Sequence, residues 1–234
     1  MIALFMPLIR KEQGKQVLLD LNEQVIKPDL LYIVDNSGDF EFDPFEFDYS
    51  IIHGKRTSNT GVNPCWNLMW GEQFSNYKYV GIIGDDYRLN KYNLIRMYQF
   101  LETTSLKAVT CLIKKARELP LDPSGLGMKY VPCEAKGRLG FSLFNREFLV
   151  EKIPPIPDQF NVYFGDNWIG HHLHKAGEEL YQLSDTMITH HHWEDIATPL
   201  GLKEKILEER VAWKVYIRGE LNHESNCSQE VQRN

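Results

Sequence analysis

Uninterrupted apolar runs that stop abruptly at acidic turn-formers constrain this chain more than any other feature. Leu30, Leu31, Tyr32, Ile33 and Val34 run into Asp35, Asn36, Ser37, Gly38 and Asp39. Tyr79, Val80, Gly81, Ile82 and Ile83 run into Gly84, Asp85 and Asp86. A strand that is apolar at every position, instead of alternating, must be covered on both faces, as in a parallel sheet between helices. The stretches between such runs have helical spacing. Residues 13–24 set Val17, Leu18 and Leu21 on one side, and residues 90–102 do the same with Leu94, Met97, Tyr98 and Leu101 behind Asn90, read as an N-cap. With further strands at 3–9 and 49–53 and a helix at 63–74, the pattern predicts an α/β fold with a mostly parallel central sheet flanked by helices.

The second half is less regular. It reads as a strand at 108–113, a loop bearing Pro and Gly at 118–131, and a strand at 140–145. A connector stiffened by Pro154, Pro155 and Pro157 leads to a helix at 166–176 closed by Gly177. A strand at 181–189 and an amphipathic helix at 202–219 follow, then a polar tail from Asn222. With no internal repeat or low-complexity linker, residues 1–221 read as a single domain and 222–234 as a flexible tail. Hydrophobic residues at 43% and charged residues at 25% exclude a disordered chain or a fibre.

No apolar run approaches the ~18 residues of a membrane span, and no basic region precedes the first apolar stretch as in a signal peptide. Cys65, Cys111, Cys133 and Cys227 form no C-x-x-C pair, so reduced thiols and a cytoplasmic setting are expected. With 26 Lys+Arg against 32 Asp+Glu, the net charge of −6 argues against coating nucleic acid by charge alone. Lys114, Lys115, Arg117, Lys136 and Arg138 read as a local basic patch or as solvated faces.

Ligands of open parallel sheets bind beyond the carboxyl ends of the strands, where strand order reverses. Three polar clusters fall at such ends: residues 35–39, 85–86 and 190–192. Asp85 and Asp86 repel each other and ionise together beside a cation. Mg²⁺ or Mn²⁺ suits such oxygen ligands, while a plain turn capping the next helix is the alternative. Asp166, at a helix start, reads either as an N-cap or as a carboxylate kept ionised for general-base work.

Six of the eight histidines lie between His171 and His192. His171, His172 and His174 share a helix with the apolar Ile169, Leu173 and Ala176 and read as structural. His190, His191 and His192 follow a strand. In extended chain His190 and His192 share one side, from which one or both can complete a metal site begun by Asp86.

Taken in order, these landmarks make residues 2–193 resemble the family 2-like glycosyltransferases of GT-A fold, a Rossmann-like nucleotide-diphospho-sugar transferase fold. The likeness lies in residues 31–39, in 59–67 with Asn59, Gly61, Asn63 and Asn67, and in a shortened Asp-x-Asp element at 84–86. It continues in 140–144 and in 164–177, which ends in Lys175, Ala176 and Gly177. Gly84, Gly165 and Trp168 depart from the family pattern, each standing where an acidic residue is usual.

The resemblance implies a nucleotide-sugar-binding half at 1–105, an acceptor and catalytic half at 106–200, and a C-terminal helix at 201–221. It implies donor contacts from Pro7, Asp35, Asn36, Ser37, Asp39, Asn63, Asn67 and Asp85, with Asp39 at the base and Asp85 toward the sugar. Asp86 with His190 or His192 would hold Mn²⁺ or Mg²⁺, Asp166 would be the general base, and Gly140 and Trp168 would lie at the acceptor. The implied activity moves a hexosyl or pentosyl group from a nucleotide sugar, a UDP-sugar first, to a hydroxyl of a surface glycan or of a hydroxymethylated base in phage-type DNA. Two readings stand beside it: a nucleotidyltransferase, for which Leu8, Ile9, Arg10 and Lys11 make a poor phosphate loop, and a non-catalytic sugar- or zinc-binding module.

Overall fold

The computed structural model describes residues 1–115, 128–190 and 202–231, with side chains through residue 220 apart from Lys115. Nine strands form one sheet in the order β3-β2-β1-β4-β8-β6-β9-β5, and β7 also pairs with β9. They are β1 (Ile2–Leu8), β2 (Leu30–Asp35), β3 (Ser50–Lys55), β4 (Tyr79–Ile83), β5 (Tyr87–Arg88), β6 (Ala108–Lys115), β7 (Tyr130–Cys133), β8 (Phe141–Asn145) and β9 (Leu180–His190). The first four strands, β6 and β9 run one way, while β5, β7 and β8 run against them. The mostly parallel sheet expected from the apolar runs is present. The order reverses at β1, with β2 on one side and β4 on the other, which opens a crevice beyond Leu8 and Ile83.

Strand β1 is buried at every position and divides its side chains between two cores. Leu4, Met6 and Leu8 pack with α1 (Lys11–Asn22) and α3 (Asn93–Thr103) through Val17, Leu18, Leu94 and Met97. Ala3 and Phe5 face Cys65, Met69, Ile169 and Leu173, contributed by α2 (Asn63–Trp66), the turns after it, and α5 (Gly165–Lys175). Short α4 (Arg146–Lys152) follows β8 on that same side and buries Leu149 there. Helix α6 (Lys203–Val231) adds Trp213 and Tyr216. It continues through the segment read as a loose tail. No helix among the described residues is long and apolar enough to cross a membrane.

Several boundaries differ from the sequence reading for local reasons. The helix expected over 63–74 is helical only to Trp66, then continues as two 3₁₀ turns separated by Gly71 in an extended conformation. Asn90 is not the cap of α3. Its Oδ1 accepts the Tyr92 N–H while its own N–H donates to Asn93 Oδ1, closing a turn just ahead of the helix. Strands β5 and β7 break into stretches read as turn and loop, because both exist only by pairing with β9. His191, His192, Arg117 and most of the 118–131 loop lie outside the described residues.

Candidate functional site

Four chain segments meet at the crevice. The loop after β1 brings Arg10, the turn after β4 brings Asp85 and Asp86, β9 ends at His190, and α5 begins at Asp166. They surround a cavity of about 490 Å³, whose lining also includes Pro7, Asn36, Trp66 and Tyr87.

Asp85 and Asp86, adjacent in sequence, have different partners. Asp85 Oδ2 accepts the N–H groups of Ile9 and Arg10, both at 2.7 Å, and Oδ1 takes the Arg10 guanidinium at 2.8 Å. Burial and then the Asp86 charge push its carboxyl up, against the pull of Arg10 and the two amides. Asp85 therefore holds the β1–α1 loop while also lining the cavity.

Asp86 Oδ2 instead meets His190 Nε2 at 3.0 Å and Arg10 Nη1 at 3.1 Å. Burial pushes its carboxyl up, but the hydrogen bond and charge of His190, with Arg10, outweigh this and hold it below the ordinary value. The 3.0 Å contact is an ordinary hydrogen bond, and the same oxygen also faces Arg10. By donor type, a carboxylate oxygen and an imidazole nitrogen suit Mn²⁺ or Mg²⁺ as two of its ligands. Among the described residues no group of three His, Cys, Asp or Glu side chains could hold a metal. An ion here would draw its other ligands from water or phosphate, as Mg²⁺ commonly does.

Tyr87 forms the floor beside this pair. Its buried ring lies 4.8 Å from that of His190, centroid to centroid. A Cβ at Gly140 would fall 1.9 Å from the Tyr87 hydroxyl, so glycine is required there for the ring to fit. Gly140 lines the cavity by yielding space to Tyr87.

Asp166 sits at the opposite wall. One carboxylate oxygen accepts the Gly137 N–H, and the other accepts the Asn167 N–H at 2.8 Å. Burial raises its pKa despite these bonds. The backbone turns into α5 through Phe164, the one described non-glycine residue with positive φ, at 61°. That conformation costs on the order of 1 kcal/mol or more. It persists beside heavy bracing from α6, where buried Glu209 accepts the N–H groups of Asn161, Val162 and Tyr163 at 3.0, 3.1 and 2.7 Å. Trp213 lies nearly parallel to Phe164 at 6.1 Å.

Most of the other residues expected to bind ligand make contacts within the fold, while Pro7 and Asn36 line the cavity. Asp35 is fully buried and closes its own turn, accepting from Ser37, Gly38 and Phe40. Ser37 is thereby turned to Asp35. Asp39 pairs with Lys11 at 2.7 Å on the exposed rim. Asn63 donates to the carbonyls of Phe160 and Tyr163, and its Oδ1 stands 2.1 Å from where a Gly165 Cβ would be, which explains that glycine. Asn67 exchanges two hydrogen bonds with the Ile156 backbone. Trp168 is buried, with its indole N–H on the Pro154 carbonyl. Asn36 remains at the cavity, bridged to Thr60 and Gly61. Sequence reasoning passed over Tyr87 and Glu209 and named Arg10 only within a poor phosphate loop. Of these only Arg10 carried a signal, a cation directly after an apolar strand.

No protein-family model matches the chain, and no curated protein sequence matches it. Solved structures do. Residues 1–349 of S. aureus TarS in complex with UDP superpose with a TM-score of 0.60 at 12% identity, covering 82% of this chain and 60% of that one. The same fragment with UDP-GlcNAc gives 0.58 at 14%, covering 83% and 59%. GalNAc-T7 with UDP, GalNAc and Mn²⁺ gives 0.61 at 8%, covering 82% and 44%. The fold is GT-A. The chain spans about 60% of the TarS fragment, so the likeness to GT-A structures lies in a shared core. In that GT-A core, the crevice between β1 and β4 is where Arg10, Asp86 and His190 gather.

Proposed function

We propose that the protein transfers a sugar from a UDP-sugar to an acceptor hydroxyl, with Asp166 as general base. One juxtaposition carries this reading. The Asp86, His190 and Arg10 group at the ends of β4, β9 and β1 shares a single cavity with the Asp166 carboxylate. UDP and UDP-GlcNAc in the TarS complexes make uridine nucleotides the first donors to test.

Arg10 is placed to hold the donor diphosphate through its guanidinium, and Asp86 with His190 would hold Mn²⁺ or Mg²⁺, in keeping with Mn²⁺ in the GalNAc-T7 structure. Such an ion, when bound, supplies Lewis-acid neutralisation of the leaving diphosphate. Tyr87 closes the cavity floor and excludes water from that side. A carboxylate oxygen of Asp166 takes the proton of the acceptor hydroxyl as the hydroxyl oxygen bonds to the anomeric carbon and the bond from that carbon to the diphosphate oxygen breaks, releasing UDP. The raised pKa makes Asp166 a stronger base than an exposed aspartate.

A thermal-shift titration of nucleotide sugars tests the reading. A UDP-sugar at about 100 times its Kd stabilises by about 2.7 kcal/mol, and the shift is expected only with Mn²⁺ or Mg²⁺ present. Absence of any shift, with every nucleotide sugar and either metal, would overturn it.

A further inference from the structure

Beyond Asp166 a second groove of about 800 Å³ opens, and Gly137, Tyr163 and Asp166 line both spaces. Its far wall is α6. Lys203, Leu207, Arg210 and Lys214 recur at the spacing of one helix face, and Lys136 reaches in from the opposite side. All four cations are exposed, and none is in an ion pair among the described residues, whereas nearby Lys175 is paired with Glu220. The groove's lining contains one carboxylate, Asp166. Glu209, on the same helix, is buried and committed to the 161–163 backbone. A chain of net charge −6 has therefore gathered four positive charges, none in a close ion pair among the described residues, along one path that ends at its proposed base, where Lys136 also acts on the Asp166 carboxylate. Unpaired like charges repel, and an anion lying among them relieves that repulsion.

We infer that this groove seats an anionic glycan acceptor, a chain of sugars or polyols carrying phosphate or carboxylate groups, laid along α6 with a hydroxyl at Asp166. The inference rests on the glycosyl-transfer reading and names the acceptor class for it. Single-stranded nucleic acid is held on free aromatic faces. Trp213 is already stacked with Phe164 and Tyr216, at 6.1 and 5.8 Å, and the groove contributes chiefly its cations.

Binding of labelled oligomers of matched length to the full-length protein tests this. The probes are oligogalacturonate for carboxylates, oligo(glycerol phosphate) for phosphates, neutral dextran, and oligothymidylate. One of the two anionic glycans is expected to bind at least tenfold more tightly than dextran, and the tighter of them identifies the anion. Its affinity should fall about tenfold or more between 0.05 and 0.3 M salt. Arg210→Glu with Lys214→Glu should weaken it by about tenfold or more at an unchanged melting temperature, and the milder Arg210→Gln by about threefold. Equal binding of dextran, no binding of any chain, or tightest binding of oligothymidylate would each overturn the inference. UDP binding by the wild-type protein is read separately. An anionic glycan bound without UDP would sink sugar transfer and leave the groove standing, while UDP bound without any glycan would sink the groove alone.

Discussion

The turns after β2 and β4 begin alike and end in opposite states. Each sets an aspartate at the carboxyl end of a buried parallel strand, on the same edge of the sheet. Asp35 folds back into its own turn, where amides two, three and five residues ahead and the Ser37 hydroxyl all donate to it, with His53 on β3 reaching it only at 3.4 Å. Burial pushes its pKa up, but these bonds, the Ser37 hydroxyl first, outweigh it and hold the carboxyl low. Asp86 takes its charged partners from distant elements, His190 on β9 and Arg10 beyond β1, and it faces the cavity. A carboxylate satisfied by its sequence neighbours is a folding device. One satisfied by ionic side chains from elsewhere can exchange them for a ligand. Asp166 belongs with Asp86 by position, since its two amide bonds leave it lining the cavity.

The sharpest break between the two kinds should come at Asp166. Asp166→Asn is expected to lower turnover about 10³-fold while UDP binding persists, measured by initial rates and calorimetry. Its pH profile carries the sign. Asp166 must be ionised to accept a proton and its pKa is raised above 3.8, so activity falls tenfold per pH unit below that raised value. Asp86, held low, stays ionised through that window and adds no limb to the profile. A rate independent of pH down to the ordinary carboxylate range would remove Asp166 as the base.

Asp86→Asn should follow, with transfer lowered about 10²-fold and urea stability changed by no more than about 1 kcal/mol, because Arg10 keeps Asp85. Asp35→Ala should do the reverse. It orphans three amides and a hydroxyl in a half-buried turn, for a loss of about 1–3 kcal/mol in urea unfolding. The stability that Asp35 confers is present above the ordinary carboxyl pKa and is lost as pH falls through its lowered folded value. The gap between wild type and variant should therefore close only in acid. If Asp35→Ala lost transfer and kept its stability, the division into two kinds would fail.

How much of this could be read from the sequence follows the same division. The apolar runs at 30–34 and 79–83 are strands because nothing in them can face water, and that is visible residue by residue. Asp86 and Asp166 stand out because strand ends and helix starts are where ligands collect. What could not be read is whatever depends on a partner far along the chain. Tyr87–Arg88 is a strand only beside His190 and Thr189. Glu209 looks like one more solvated acid in an amphipathic helix, yet it is buried against three amides 46 to 48 residues away. Asn63 and Asn67 look like donor ligands in their motif, and only the fold shows the Asn63 NH2 group and both ends of the Asn67 amide bonded to backbone between 156 and 163.

The smallest expected effect concerns Asp39, expected from family likeness to contact the nucleoside base. Its carboxylate pairs with Lys11 at the rim with 67% of the side chain exposed, and that hydrogen bond lowers its pKa. An exposed pair in water is screened by salt and loses side-chain entropy when it forms, so it contributes little to the fold. Asp39 also lies outside the residues lining the donor cavity. Asp39→Ala should therefore leave the melting temperature unchanged and weaken UDP by less than about threefold, under 0.7 kcal/mol, in the same calorimetric titration used for Asp166→Asn. A tenfold loss specific to UDP over free diphosphate would mean that Asp39 leaves Lys11 for the base when donor binds. The rim turn after β2 would then be a ligand-exchanging region as well, and the contrast with Asp86 would hold for Asp35 alone.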